Sequence, residues 1–331
     1  METVLSGMRP TGKLHIGNYF GAAVNFVKMQ QEYNCFFMIA DYHALTTHTK
    51  AHEIRSSVRQ VLAEYLACGL DPDKSVIYIQ SDVEEVAELY LILNMFAYKG
   101  ELEKTATFKE KAKKPGQTLN AGLLTYPVLM AADILMHRAN KVPVGKDQEQ
   151  HIEMTRNFGN RFNSYYGTDF FPEPVGFNFE NELIKVPALN GEVKMSKSDN
   201  EMNTIYLSDT DEDIVKKMKR AKTDTGPKQN NSEPPQEIKN LFTLMNLVSD
   251  KGTLEHFQNA YNNCSIRYGD FKMQIADDMT RFIKPIREKI NALLADELYV
   301  AKIRNQGREK AKASAQKTLK AVREIAGFKT Y

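Results

Sequence analysis

Short apolar runs alternate with helical patterns through the first 200 residues, and this alternation constrains the fold more than any other feature. Cys35–Ala40 is a continuous apolar run, which is typical of a parallel strand buried on both faces. Thr3–Ser6 and Ser75–Gln80 also have strand character, and Gly7–Lys13 is rich in turn-forming residues. Helical periodicity occupies the segments between and after them, namely His15–Glu32, Ile54–Leu66 and Val83–Leu93. This order predicts an α/β fold with a doubly wound parallel sheet.

Beyond Asn200 the strand signal fades and helical periodicity takes over. Apolar residues recur every three or four positions from Ile275 to Leu293, which predicts a long amphipathic helix with a kink at Pro285. Lys310–Ala326 is rich in alanine and lysine, and a helix there is expected to end at Gly327. We therefore expect two domains, an α/β domain over residues 1–200 and a helical domain over residues 201–331.

Composition and cysteine usage are those of an ordinary globular protein from a reducing compartment. Of the 331 residues, 42% are hydrophobic and 26% are charged. The three cysteines lie far apart and form no C-x-x-C pair, which argues against a disulfide framework and a cysteine-based metal site. The longest apolar runs are too short to span a bilayer, and no secretory signal precedes the first strand. We therefore expect a cytoplasmic protein without a membrane partner.

Cationic residues are unevenly distributed although the net charge is only +2. Ala301–Tyr331 carries nine Lys and Arg against two Glu, and Lys216–Lys222 contains a second cluster of five. Each cluster alone is best explained as the solvated face of a helix. A polyanionic partner becomes the better explanation only if other features point to nucleic acid.

Two short strings carry the strongest chemical signal. The first, His15–Asn18 (HIGN), opens a helix directly after a strand and a glycine-containing turn. Backbone N–H groups and the positive end of the helix dipole meet there, which suits an anion such as phosphate. The lack of a side chain at Gly17 lets a flat base lie close to the backbone, and His15 can donate to a phosphate oxygen. A purely helix-capping role for the string is the alternative.

The second string, Lys194–Ser198 (KMSKS), is the more specific of the two. Its two lysines carry compact charges on flexible stems, which can follow a phosphate as it moves. Lys109–Gln117 is also lysine-rich and is interrupted by Pro115 and Gly116, so we expect a mobile loop there. Together the strings predict chemistry on a nucleoside triphosphate in which the protein positions substrates and neutralises charge.

The paired strings resemble the HIGH and KMSKS motifs of the class I aminoacyl-tRNA synthetases. Further stretches resemble the bacterial tryptophanyl branch of that family, and they are Ser6–Gly12, Ala40–Thr46, Gly100–Glu103, Thr125–Leu135 and Val142–Gln148. The match is dense from about residue 3 to residue 200 and then rests mainly on helical character. The resemblance implies a Rossmann-like catalytic domain with a dimerisation insertion at about residues 91–140, followed by a helical domain that binds the tRNA anticodon.

By this resemblance, Asp133 accepts a hydrogen bond from the indole N–H of L-tryptophan. The residue types agree, because Asp133 stands in the otherwise apolar run Met130–Leu135, where a carboxylate needs a polar partner. A position on the surface of its helix is the alternative. The resemblance places Met130, His43, Val142 and Val144 around the ring, and Tyr126 and Gln148 at the ammonium and carboxylate groups of the amino acid.

The resemblance also assigns the ATP side of the site. Gly145 and Asp147 would contact the ribose hydroxyls, and Val186 would lie alongside the adenine. The residues expected to contact ATP are Arg9, Pro10, Thr11, Gly17, Asn18, Lys111, Gly145, Lys146, Asp147, Val186, Lys194, Met195, Ser196, Lys197 and Ser198. The catalytic role is assigned to His15, Lys194, Lys197 and Ser198, and no metal-binding side chain is implied.

The implied reaction has two steps and uses ATP with Mg²⁺ as a substrate. The tryptophan carboxylate attacks the α-phosphate in line, and the 3′ end of tRNA(Trp) then takes the aminoacyl group from the adenylate. Because a carboxylate is already a nucleophile, catalysis reduces to positioning and to stabilising charge on the leaving pyrophosphate. The family also implies a homodimer.

Three other functions stay open at this point. A tyrosyl-tRNA synthetase shares the architecture, although Tyr126–Leu135 and Val142–Gly145 fit the tryptophanyl branch better. A nucleotidyltransferase that acts without tRNA would need neither the basic C-terminal helix nor the KMSKS string. A non-catalytic relative that only binds RNA or a partner is disfavoured because the chemical residues of both strings are intact.

Overall fold

A parallel sheet lies at the centre of the protein. The computed structural model describes residues 1–47, 50–113, 119–145, 148–177, 179, 184–191, 194–195 and 200–328. The strands are β1 (Thr3–Met8), β2 (Asn34–Ile39), β3 (Val76–Ile79), β4 (Lys141–Pro143) and β5 (Val175–Phe177). Their order is β3-β2-β1-β4-β5, with Leu5 paired to Phe36 and Val4 paired to Lys141. The doubly wound parallel sheet expected from the sequence is therefore confirmed.

Helices in the first half of the chain connect these strands. They are α1 (Ile16–Asn18), α2 (Val24–Met29), α3 (Asp41–Ala44), α4 (Ala51–Ala67), α5 (Glu85–Asn94), α6 (Lys99–Leu102), α7 (Ala106–Ala112), α8 (Ala121–Met136) and α9 (Glu149–Tyr166). A π-helical segment, Tyr19–Ala23, joins α1 to α2. The segment His15–Glu32 is thus helical from Ile16 to Met29, close to its predicted bounds.

Two local predictions differ from the structure. Gly7 and Met8 continue β1, where the sequence indicated a turn, because Gly7 fits closely against Met38 of β2. The stretch Lys109–Gln117 was expected to be a mobile loop, and this is wrong for Lys109–Ala112, which form the end of α7. Alanine and lysine favour a helix there, and the breakers Pro115 and Gly116 follow too late to prevent it. Residues 114–118 lie outside the described residues.

The second half of the chain is helical, as predicted. Its helices are α10 (Asp211–Arg220), α11 (Gln236–Val248), α12 (Lys251–Asn262), α13 (Tyr268–Ala295) and α14 (Glu297–Ile325). Pro285 lies inside α13, and the helix predicted from Lys310 begins thirteen residues earlier and ends just before Gly327, which has φ +80°. Within the described ranges, no helix is both long enough and apolar enough to cross a membrane.

The helical half packs onto the sheet on both of its faces. Phe37 and Ile77 share one core with Ile275 and Met279 of α13. Phe36 and Tyr78 point to the opposite face, where the core includes Ala311 and Leu319 of α14. Side chains of adjacent strand residues alternate between these two cores, as the pleat requires. The division into two domains at residue 200 stays a prediction. Side chains from both proposed domains fill the same two cores.

Helix α14 crosses the outer edge of β3 at Gly307. Val300 and Ile303 belong to the first core and Ala311 to the second, so the helix passes from one face of the sheet to the other. A Cβ atom on Gly307 would lie 1.7 Å from the backbone oxygen of Ile77. Only glycine permits this approach, and it lets the helix cover the edge of the sheet.

We predict that Gly307→Ala destabilises the protein by about 3 kcal/mol or more, because the added methyl group must push α14 away from β3. Urea denaturation monitored by far-UV circular dichroism measures the effect. The control is Gly269→Ala in α13, where no atom lies within 4 Å of the new Cβ. That variant should gain about 0.5–1 kcal/mol from reduced chain entropy. Equal stability of the two variants would contradict the close packing at Gly307.

Candidate active site

A cavity of about 550 Å³ opens at the carboxyl ends of β1 and β4. This is where the strand order reverses, because β1 lies between β2 and β4. Ligands of doubly wound folds bind in the crevice at such a point. Met8 and Arg9 line the cavity from the end of β1, and Val144 and Gly145 line it from the end of β4.

Ten of the residues predicted from the sequence line this one cavity. They are Arg9, His43, Lys111, Tyr126, Met130, Asp133, Val142, Val144, Gly145 and Gln148. The described residues that are absent from its lining are Pro10, Thr11, His15, Gly17, Asn18, Val186, Lys194 and Met195. The remaining predicted residues, Lys146, Asp147, Ser196, Lys197 and Ser198, lie outside the described residues. All seven residues expected around the amino acid are therefore together.

Asp133 lies on α8 at the cavity and is only 2% exposed. The Nε2 atom of His43 lies 2.8 Å from its Oδ2 atom. The side-chain amide of Gln80 donates to both carboxylate oxygens, at 2.8 Å to Oδ1 and 2.9 Å to Oδ2. The alternative that Asp133 occupies the surface of its helix is therefore wrong.

The surroundings of Asp133 act on its protonation in opposite directions. Burial raises the pKa of the Asp133 carboxyl, while the hydrogen bonds from His43 and Gln80 oppose that rise. The ionised carboxylate can only accept hydrogen bonds, so both neighbours act as donors to it. When ionised, the carboxyl is an acceptor at the wall of a largely apolar cavity.

Tyr126 and His151 form a second polar contact in the cavity wall. The Tyr126 hydroxyl lies 2.7 Å from Nε2 of His151, which is carried by α9. Burial raises the pKa of Tyr126, so the phenol keeps its proton near neutral pH. His151 was not predicted from the sequence, because its partner is on another helix and no motif marks it.

The HIGN string caps its own helix. Nδ1 of His15 accepts a hydrogen bond from the Asn18 N–H, and Oδ1 of Asn18 accepts one from the His15 N–H, each at 3.2 Å. A Cβ atom on Gly17 would lie 2.7 Å from Nδ1 of His15, so glycine is needed where the imidazole folds over the turn. The capping role that the sequence left as an alternative is therefore real. Any contact from the His15 ring to a phosphate has to come from Nε2.

The first two residues of the KMSKS string lie beside this turn. The Met195 N–H donates to the Val186 carbonyl at 2.8 Å, and both side chains are buried. The Cβ of Met195 is 3.6 Å from the position that a Gly17 Cβ would occupy. Lys194, the first lysine of the string, is exposed. The two strings, distant in sequence, thus meet at Gly17.

Comparison with known proteins identifies the family. Residues 2–284 match the family model described as tRNA synthetases class I (W and Y). The chain belongs to this family. A tryptophan–tRNA ligase from Porphyromonas gingivalis is 57% identical to this synthetase over 329 residues, which cover 99% of the chain and 100% of the relative. Another from Clostridium tetani is 39% identical over 329 residues, which cover 99% of the chain and 96% of that relative.

Solved structures agree with these relatives. A crystal structure of tryptophanyl-tRNA synthetase from Campylobacter jejuni, complexed with ADP and tryptophan, is 35% identical with a TM-score of 0.88. The match covers 98% of this synthetase and 99% of that chain. The resemblance drawn from the motifs is therefore confirmed, and the chain is an aminoacyl-tRNA synthetase of class I.

A buried ion pair supports the segment that pairs with the HIGN turn of the synthetase. Nζ of Lys217 lies 2.7 Å from Oδ2 of Asp209, and both side chains are buried. The same oxygen accepts the Tyr206 N–H at 2.9 Å, and Tyr206 forms a bridge with His15. Arg287 of α13 donates to the Asp209 carbonyl at 2.5 Å. Lys217 was expected on the solvated face of its helix, and this is wrong, because nothing in its local sequence marks the buried pair.

The basic C-terminal helix is only partly available to a polyanion. Three of its cations pair within the synthetase: Arg304 with Asp82, Lys312 with Glu84 and Arg323 with Glu88. These acidic partners lie at the start of α5 and just before it, so the three ion pairs connect α14 to the first half of the chain. The other expected cluster keeps four exposed cations, Lys216, Lys219, Arg220 and Lys222.

We predict that Lys217→Met destabilises the synthetase by about 3–5 kcal/mol, because the buried Asp209 carboxylate loses its cation. Urea denaturation at neutral pH measures the change. Lys216→Met, an exposed neighbour on α10, should change stability by less than about 0.5 kcal/mol. If the two lysine variants unfolded at the same urea concentration, the Lys217–Asp209 ion pair would make no contribution to the stability of the fold.

Proposed function

We propose that this synthetase activates L-tryptophan with ATP and transfers it to tRNA(Trp), with Asp133 as the acceptor for the indole N–H. The activity follows from the family and from the 57% identity to a curated tryptophan–tRNA ligase. The observation that carries the residue assignment is the buried, doubly hydrogen-bonded carboxylate in an otherwise apolar wall. Such a carboxylate recognises a ring only through a donor, which the indole N–H supplies.

The remaining cavity residues suit an amino acid that is held at both ends. Met130, Val142 and Val144 line an apolar slot for the indole ring beside Asp133. We assign the ammonium and carboxylate groups to Tyr126 and Gln148 at the polar side of the same cavity. The Tyr126 hydroxyl keeps its proton and lies against His151, and its oxygen can accept a hydrogen bond from the ammonium group.

The nucleotide would bind along the ends of β1 and β4, next to the amino acid. Arg9 and Lys111 line the cavity and can neutralise the triphosphate, and Gly145 lies where the ribose is expected. Among the described residues, no group of three or more His, Cys, Asp or Glu is placed to hold a metal ion. We assign Mg²⁺ to the substrate, as the counter-ion of the ATP phosphates. His15 and the lysines of the KMSKS string complete the charge around the pyrophosphate.

The first chemical step requires positioning rather than an activated side chain. With the amino acid anchored at Asp133, its carboxylate faces the α-phosphate and attacks in line, so that a new C–O–P linkage forms as the bond to pyrophosphate breaks. The negative charge that develops on pyrophosphate is stabilised by the cations and by the HIGN turn. The 3′-terminal ribose of the tRNA then displaces AMP from the adenylate.

The helical half is proposed to carry the anticodon end of the tRNA in the cytoplasm. Lys216, Lys219, Arg220 and Lys222 form an exposed cationic surface on and just after α10. Lys222 also lies against Gly191, close to the KMSKS string. This continuity supports a path for the phosphate backbone from the helical half toward the site.

A homodimer is proposed from an exposed apolar patch in the predicted insertion. Leu91, Met95 and Tyr98 are 56%, 72% and 64% exposed, and Tyr165, which packs on Phe96, is 75% exposed. Leu91 and Met95 are four residues apart at the end of α5 and therefore share a face. Contiguous apolar surface of this kind marks a protein interface.

We predict that Asp133→Asn raises the KM for tryptophan about tenfold or more, because the charged acceptor is lost while the fold is kept. Tryptophan-dependent ATP–pyrophosphate exchange measures it, with tyrosine as the competing substrate. Binding can be followed directly, since the chain contains no tryptophan and indole fluorescence reports only the ligand. The control is Asp277→Asn, an exposed position on α13. An unchanged KM in Asp133→Asn, or exchange that depends on tyrosine, would refute the assignment.

We expect Met95→Asp to convert a dimer into a monomer, because a desolvated carboxylate at the centre of the patch is costly. Sedimentation velocity at micromolar concentration distinguishes the two species. Leu298→Asp, which changes another highly exposed apolar side chain at the start of α14, should leave the dimer intact. A monomeric wild-type protein would overturn the proposal.

A further inference from the structure

Gln80 is a buried amide that no sequence motif singled out. It follows β3, is 1% exposed and lies against the carboxylate of Asp133. Its Nε2 donates to both carboxylate oxygens, at 2.8 Å and 2.9 Å. Its Oε1 accepts the Tyr42 N–H at 3.0 Å. Every polar atom of this side chain is therefore used.

These contacts fix which way the Gln80 amide faces. If the amide were turned over, its oxygen would meet the Asp133 carboxylate and its NH2 group would meet the Tyr42 N–H. Both contacts would be repulsive, and buried polar groups without partners are costly. The Tyr42 backbone thus holds the donor end of Gln80 on Asp133.

The other polar neighbour of Asp133 is also a donor to it. The Nε2 atom of His43 lies 2.8 Å from Oδ2, and it donates a hydrogen bond there when the carboxyl is ionised. In the described part of the cavity, the His43 and Gln80 donors beside Asp133 are therefore already hydrogen-bonded to its carboxylate. What the cavity offers to a ligand at this point is an acceptor.

We propose that Gln80 is a specificity-determining, positioning residue, because its two hydrogen bonds keep Asp133 an acceptor and direct the Gln80 donor away from a ring acceptor atom. The inference rests on the proposed contact between Asp133 and the indole N–H. A ring N–H, which only donates, forms a hydrogen bond with the Asp133 carboxylate. A ring oxygen, which only accepts, meets the carboxylate without a partner and is rejected.

Loss of Gln80 would weaken this selection through the protonation of Asp133. Burial already raises the pKa of Asp133, and Gln80 is one of the groups that lower it. Without Gln80 the carboxyl takes up a proton more readily as the pH falls, and a protonated carboxyl can donate to a ring acceptor. The other titratable groups that act on Asp133 are His43, Asp41 and Tyr78, and all three are retained in the variant.

The test compares L-tryptophan with β-(3-benzofuranyl)alanine, in which an oxygen replaces the indole N–H in a ring of nearly the same shape. ATP–pyrophosphate exchange gives kcat/KM for each substrate between pH 6 and pH 8. We expect Gln80→Met to lower the tryptophan-to-benzofuran ratio by about tenfold or more relative to wild type. The ratio of the variant should fall further toward pH 6, while that of the wild type changes less.

Gln30→Met is the matched control. Gln30 is equally an interior glutamine, 6% exposed, and it bonds Gly69 O at 3.1 Å and Asp71 N–H at 2.9 Å away from the cavity. A merely structural loss lowers kcat/KM for both substrates alike, so Gln30→Met should leave the ratio within about twofold of wild type. If Gln80→Met does not fold, Gln80→Asn tests the same point, because its amide is too short to span Tyr42 and Asp133.

The outcomes separate this inference from the proposed function. If Asp133→Asn leaves the KM for tryptophan unchanged, the contact with the indole N–H fails and the inference fails with it. If Asp133→Asn raises that KM but the ratio in the Gln80 variants stays at the wild-type value, Gln80 has no part in specificity. A ratio that falls to the same extent in Gln30→Met would equally overturn it.

Discussion

The pairing of residues 14–16 with residues 205–207 is the constraint on which the site depends. The Ile16 N–H donates to Ile205 O at 3.0 Å, and the Leu207 N–H donates to Leu14 O at 2.9 Å. The Leu14 N–H is taken by the buried carboxylate of Glu64 at 3.0 Å. With its backbone held on both sides, the HIGN turn is rigid enough for the His15 ring to lie over Gly17 and for Met195 to pack beside it. Charge stabilisation by a fixed turn is effective because little reorganisation is needed during the reaction.

The same pairing connects the site to the helical half. The segment that pairs with the turn continues through Asp209 into α10, and Arg287 of α13 donates to the Asp209 carbonyl and to Asp211. Arg287 therefore links α13 directly to the segment that supports the turn. Contiguous, well-packed contacts of this kind can carry coupling between distant parts of a protein.

Local patterns were sufficient for three of the five strands, whereas the residues proposed to hold the amino acid came from the family resemblance. Strands such as Cys35–Ala40 are continuous apolar runs whose type does not depend on their neighbours, and the structure places β2 there within one residue. Asp133 was predicted from that resemblance, and its position as a carboxylate within an apolar run agreed with the prediction. Gln80 and Lys217 were not, since each depends on a partner that only the folded chain brings near, Asp133 in one case and Asp209 in the other. The end of α7 was missed because the breakers that suggested a loop act only beyond it.

The crossing of α14 over β3 also bears on how the chain is made. Arg304 of this helix and its partner Asp82 are 222 positions apart, so the edge of the sheet is synthesised long before the helix that covers it. Until α14 leaves the ribosome, β3 presents unpaired backbone groups, which favour association with other chains. The nascent protein thus has a vulnerable interval that ends only when its last long helix is released. Slow translation or a stalled ribosome in this stretch should expose the growing chain to aggregation and to capture by chaperones.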